Sequence, residues 1–170
     1  MQQPDELYRE EIGFFWGKLS VAIMLVVSLS LFVLLAIQRT YGQIGDDPAP
    51  DLVYILLGGY FLAIGLLLLN FTTLIVSATP RGITAGYGCF RYHIAWENVA
   101  GYEVDPRRTT LAYGGYGIHI ACKNSQSVLA YNIMGAPTIV LEQKQGRFKY
   151  VAFSTRRPDE VMGIIRSYKR

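Results

Sequence analysis

Between Asp51 and Arg81 the chain runs for 29 residues, Leu52 to Pro80, without one charged side chain. About 20 apolar residues, each rising ~1.5 Å, cover the hydrocarbon core of a bilayer, so the run predicts a transmembrane helix with length to spare. As one helix it would measure roughly 43 Å against a core near 30 Å. Its last part, Thr72-Thr73-Leu74-Ile75-Val76-Ser77-Ala78-Thr79, is rich in β-branched residues that fit a pleated strand. The run therefore reads as a span over 52–71 that passes directly into a strand at Thr72.

A second charge-free run, Leu19 to Gln38, has 20 residues and a continuous apolar core from Val21 to Val27. It predicts a span over 14–38. The preceding segment carries Asp5, Glu6, Glu10 and Glu11 against Arg9 alone before Lys18, which is not the basic leader of a cleaved signal. Arg9 and Lys18 flank the first span, Arg81 and Arg91 follow the second, and Arg39 is the one basic residue of the connecting loop. By the positive-inside rule both ends face the cytoplasm, and the Asp- and Pro-rich loop lies outside. The localisation expected is the cytoplasmic membrane, multi-pass.

The chain thus divides into residues 1–71, an N-terminal segment with a membrane hairpin, and 72–170, a water-facing domain near the small end of the domain range. Charge divides with it. Residues 1–79 hold three basic against seven acidic side chains, net −4, and 80–170 hold 13 against six, net +7. Cys89 and Cys122 fall in the domain assigned to the cytoplasm, where thiols stay reduced, so no disulfide is expected. In lipid, helices associate where small residues let them approach. Gly13 and Gly17, and Gly59 and Ala63, have the small-xxx-small spacing and are expected to pack the two spans together, with Gly58 and Gly65 nearby. Lys18 and Asn70 sit near span ends, where Lys18 can snorkel to the interface, and mark no transport path.

Past the hairpin the pattern is one of short β segments split by turns. Pro80-Arg81-Gly82 turns into Ile83–Tyr87, and Cys89–Ile94 alternates as a half-buried strand. Trp96–Val99 suggests one helical turn, followed by Gly101–Val104, Thr109–Tyr113, Ile118–Cys122, Val128–Ile133 and Thr138–Gln143. A last hairpin turns at Lys144–Arg147 and returns as Phe148–Phe153, with Phe148, Tyr150 and Ala152 on one face. Pro158, Asp159 and Glu160 open a closing helix whose Val161, Ile164, Ile165 and Tyr168 form an apolar stripe.

Two spans, a hairpin turning at Pro80–Ile83, the segment Ile94-Ala95-Trp96-Glu97-Asn98-Val99, Gly115-Tyr116-Gly117-Ile118, Gly146-Arg147, Phe153-Ser154-Thr155 and Pro158-Asp159-Glu160-Val161 follow one another along most of the chain. This order resembles the prokaryotic pleckstrin-homology-like (PH-like) membrane proteins. The resemblance implies an α+β membrane protein: a two-helix transmembrane hairpin, then a PH-like antiparallel β-sandwich or barrel capped by a C-terminal helix. It also implies a scaffold for binding lipid, peptide or protein, which leaves the ligand open.

The chemistry of catalysis is weakly represented. Cys89, His93, His119 and Cys122 lack CxxC or HExxH spacing, so no metal and no cofactor is expected. Tyr113–Gly117 lacks the Lys-Ser/Thr ending of a phosphate loop and reads as a hairpin turn. Ser125, His119 and Glu142 could be assembled into a triad only on paper, since no serine sits in a nucleophile elbow. The reading is a non-enzymatic protein. Arg81, Arg107, Arg108, Arg156 and Arg157 fall at turns or strand ends, where they can face an anionic leaflet or a partner. The partners expected are the bilayer, anionic lipids included, and a membrane protein or further copies of the chain; nucleic acid is not expected, because no aromatic-basic RNA signature accompanies the charge. The function read from the sequence is a scaffold, assembly factor or accessory subunit, with a small homo-oligomeric channel or transporter as the alternative.

Overall fold

A computed structural model of the chain describes residues 6–42, 49–105, 115–123 and 126–169. They form an α+β structure of two units, one made of residues 15–72 and the other of residues 1–14 with 73–170.

The first unit is a pair of helices, α1 (Phe15–Tyr41) and α2 (Asp51–Leu69), both long and apolar enough to cross a membrane. They start and stop within three residues of the spans read from the sequence. Outward-facing Val26, Leu29 and Leu56 are each more than 60 % exposed. Aqueous exposure of such a surface would be costly. The two helices run antiparallel, with Phe32 against Gly58 and Met24 and Leu25 against Gly65. Ser28 is buried at the seam and its hydroxyl donates to the Gly58 carbonyl at 2.8 Å. At the loop end Arg39 and Asp51 form an ion pair at 2.6 Å.

The second unit begins before α1. Strand β1 (Tyr8–Gly13) joins β2 (Thr73–Thr79), β3 (Gly82–Tyr87) and β4 (Phe90–Ala95) in an antiparallel sheet of that order. The sequence pattern leaves residues 8–13 in the N-terminal segment ahead of the first span, with no strand expected there. Their charged Arg9, Glu10 and Glu11 hide the alternation, but Tyr8, Glu10 and Ile12 are buried and every residue of the strand pairs with β2. In β2, Leu74, Val76 and Ala78 point inward with the alternation of a strand.

After a single 3-10 turn, Trp96–Asn98, come β5 (Val99–Asp105), β6 (Gly117–Lys123), β7 (Gln126–Asn132), β8 (Thr138–Gln143), β9 (Tyr150–Ser154) and α3 (Pro158–Tyr168). The second sheet has the order β5-β8-β9-β7-β6. Its β7 and β9 are parallel, which departs from the all-antiparallel arrangement expected. β9 enters between β8 and β7, so it is central and buried on both faces, with Val151, Ala152 and Phe153 wholly covered. Burial on both sides goes with an unbroken apolar run. Register puts Ala130, Val140 and Ala152 on one face, where they pack with Val128. The β9 strand starts at Tyr150, so Phe148 lies in the approach to it rather than on its face. The two sheets meet where the Tyr87 hydroxyl of β3 donates to the Asn132 carbonyl of β7 at 2.5 Å.

Candidate functional site: a basic and aromatic groove

The 3-10 turn ties two loops together. The Trp96 indole N–H donates to the Thr79 carbonyl at 2.8 Å, bracing the β2–β3 turn that carries Arg81. Two residues on, the Asn98 side chain holds the β8–β9 turn from both sides. Its Nδ2 donates to the Gln145 carbonyl at 2.7 Å and its Oδ1 accepts from the Gln145 N–H at 2.9 Å. The Lys144 N–H donates to the Asn98 carbonyl at 2.8 Å. A short helical turn is suited to this, because residues two apart in it leave in different directions.

The end of α3 closes the third side. Tyr168 stacks on Trp96 with ring centroids 5.3 Å apart and planes 12° apart. The Lys169 ammonium lies 5.1 Å over the Tyr102 ring and donates to the Ala100 carbonyl. Between these walls lies an open groove of about 740 Å³, lined by Arg81, Trp96, Glu97, Lys144, Tyr168 and Lys169 among others. Three cations face one acid, and the two aromatic rings give it a flat apolar wall. Such a site can hold an anionic group beside an apolar one.

The arginines singled out by sequence do not gather in one place. Arg81 lines the groove. Arg156 and Arg157 precede α3, at the end opposite Tyr168 of a helix about 16 Å long. Arg157 is already engaged: it pairs with Glu160 at 3.1 Å, lies 4.8 Å over the Tyr8 ring and donates to the Arg9 carbonyl at 3.1 Å. The Arg156 N–H donates to Glu10 at 3.1 Å. Arg107 and Arg108 lie outside the described residues, as do the Thr109–Tyr113 segment and Ser125. Sequence reading missed Lys144, Lys169, Trp96 and Tyr168 as groove residues. A basic residue in a hairpin turn and an aromatic at the end of a helix were visible, but nothing local says that they converge.

The small residues are also rearranged. Gly13 is the last residue of β1, opposite Thr73, and so belongs to the sheet. Gly17 falls in the first turn of α1. A Cβ on Gly59 would meet nothing within 4 Å, and Ala63 is exposed, so neither lies in the α1–α2 seam. Gly58 and Gly65 occupy it instead. His93 shares a hydrogen bond with Thr84 at 3.0 Å and His119 one with the Tyr116 carbonyl at 2.7 Å. Cys89 and Cys122 are free and exposed. Burial pushes the Tyr8 and Tyr116 hydroxyls up to about 12 and raises those of Tyr87 and Tyr131, so these phenols stay neutral over the physiological range.

No protein-family model matches this chain, and neither a curated protein nor a solved structure is similar to it.

Proposed function

We propose that this chain is a non-enzymatic integral membrane protein whose α1–α2 hairpin holds a PH-like binding module at the cytoplasmic face, where it acts as a scaffold, assembly factor or accessory subunit. The observation that carries this reading is the groove of Arg81, Lys144 and Trp96 on a sheet domain that joins two apolar helices with almost no linker. Two sheets with a closing helix support the PH-like reading, from which the parallel β7–β9 pair departs.

The occupant proposed for the groove is an acidic segment of a partner membrane protein. An aromatic wall beside basic groups suits a peptide with alternating apolar and acidic side chains better than a headgroup alone. The chain connects to the helices through Gly13 and Thr73, which pair with each other, whereas the groove is built at the Pro80 end of β2, about 20 Å along the strand.

Co-purification from the native membrane tests this reading. Wild-type protein is expected to retain a stoichiometric partner that Arg81→Glu with Lys144→Glu releases, while the double variant keeps its thermal stability. Retention of the partner by the double variant removes the groove from consideration. Retention of anionic lipid by the wild type that the double variant loses, with no protein partner, would instead assign the groove to lipid.

A further inference from the structure

In the first sheet the register sets Ile12, Leu74, Tyr87 and Phe90 side by side in one row across the four strands. The first three are buried, whereas Phe90, at the outer end of the row, is 47 % exposed. One step beyond this row lie Gly13, Thr73 and the two-residue turn Gly88-Cys89. Gly88 has φ +49°, which suits a tight turn between β3 and β4, and the Arg91 Nε donates to its carbonyl at 2.7 Å. No charged side chain occurs between Arg81 and Arg91, and Cys89 is exposed at the tip of the turn.

The second sheet brings a ring to the same end. Tyr116, just ahead of β6, meets Tyr87 edge-on with centroids 5.9 Å apart and stacks on Phe14 at 3.9 Å. Phe14 is the single residue between β1 and α1, and Thr73 pairs with Gly13 soon after α2 ends at Leu69. The rim formed by Phe14, Tyr87, Phe90 and Tyr116 therefore lies at the level where the chain passes into both helices. Phe15 and Trp16, the next two residues, are exposed in the first turn of α1. A lone exposed phenylalanine would need no explanation. Here it ends a row of buried side chains, on an uncharged turn, level with the ends of two bilayer-length helices. Aromatic rings gather at that depth, where one side is apolar and the other wet.

We propose that this rim is seated in the bilayer surface, with the Phe90 ring and the Gly88-Cys89 turn dipping about 5–10 Å into the headgroup region. The inference rests on the reading of α1 and α2 as membrane spans and adds to it the surface by which the sheet domain lies on the membrane. The partner is the bilayer itself, engaged through apolar rings and open to any headgroup. Held at the turn as well as at its strand–helix junctions, the domain cannot swing about those junctions alone, and the Pro80 end of β2, where the groove lies, is kept away from the lipid.

The test is quenching of a bimane on the native Cys89, in full-length Cys122→Ser protein reconstituted into vesicles of phosphatidylcholine alone. Its emission should shift to the blue and lose most of its intensity to a nitroxide carried near the headgroup end of the acyl chain, with little loss to aqueous iodide. Bimane on Cys122 in Cys89→Ser protein should behave in the opposite way, because Cys122 lies five residues along β6 from Gly117 and so about 17 Å from the rim. Phe90→Ser, at a half-exposed position, is expected to move the Cys89 probe toward iodide and away from nitroxide. At headgroup level Cys89 stays open to a reagent arriving from the water, which reaches it more slowly than Cys122. Three results overturn the proposal: iodide quenching at Cys89 equal to that at Cys122, quenching of Cys89 by neither agent, or a Phe90→Ser profile identical to that of the wild type. Bimane on Leu29→Cys, in a chain with both native cysteines replaced, separates the two readings. If lipid nitroxide quenches that probe and not Cys89, this inference falls alone; if it quenches neither, the membrane spans fall with it.

Discussion

Glu10 is a carboxylate only 7 % exposed, in a strand that lies ahead of the first span. It survives burial because its oxygens are fully used. Tyr8 donates to it at 2.8 Å, Thr155 at 2.6 Å and the Arg156 N–H at 3.1 Å. Through these bonds the first strand is fastened to the segment between β9 and α3. Truncating it would strand three donors, so Glu10→Ala is expected to cost about 3 kcal/mol, with Glu10→Gln costing less, as read by chemical or thermal denaturation of the full chain. Tyr8 gives a pH-dependent signature. Desolvation raises its hydroxyl from 10.0 to about 12 in the folded state, assisted by Glu10 and opposed by Thr155 and Arg157. A group raised on folding contributes stability that is full below its unfolded value and disappears as pH climbs through its folded value. Stability should therefore fall between pH 10 and about 12. Tyr8→Phe, which has no hydroxyl to ionise, should show a shallower decline in the same alkaline titration.

At the scale of elements, the helix pair and the sheets were legible to different depths. α1 and α2 announce themselves because a bilayer-length apolar run needs no partner to be recognised. Their contact face does not, because every side of each helix is apolar and spacing alone offers several small-residue stripes. Packing chose Gly58 and Gly65. Gly58→Val places a branched side chain where a Cβ already falls 3.0 Å from the Phe32 ring, and is expected to loosen the pair. Gly59→Val enters open space and should leave it intact. Cross-linking between cysteines introduced at the loop ends distinguishes the two. Ser28→Ala, which removes the hydroxyl bonded to Gly58, should cost only about 0.6 kcal/mol, because interhelical hydrogen bonds in lipid are worth little more. Strands β2, β3, β4, β8 and the helix α3 lie within a residue or two of their expected positions, since alternation and turn residues are local signals. β1 escaped notice because its partner β2 lies some 65 residues away in sequence and its buried side chain is an acid.

At the scale of the whole molecule, the proposed topology makes a prediction that native residues can report. Cys89 and Cys122 are the only cysteines, and both are exposed on the sheet domain. A membrane-impermeant maleimide should label them in inside-out vesicles and not in right-side-out ones; the reverse result would invert the proposed orientation. The sequence by itself determined that two bilayer-length apolar segments precede a basic β-rich domain closed by an amphipathic helix. Those are properties of composition and short-range period, which each segment carries alone. Only the tertiary structure decided that the first strand comes from ahead of α1 and that β9 lies parallel to β7. It alone decided that Arg81, Lys144 and Tyr168 line one groove, and that Gln143 is buried with an amide unused. These are pairings between residues far apart in the chain. Their energies arise from burial and hydrogen bonds that exist only once the sheets close, so no local window of sequence contains them.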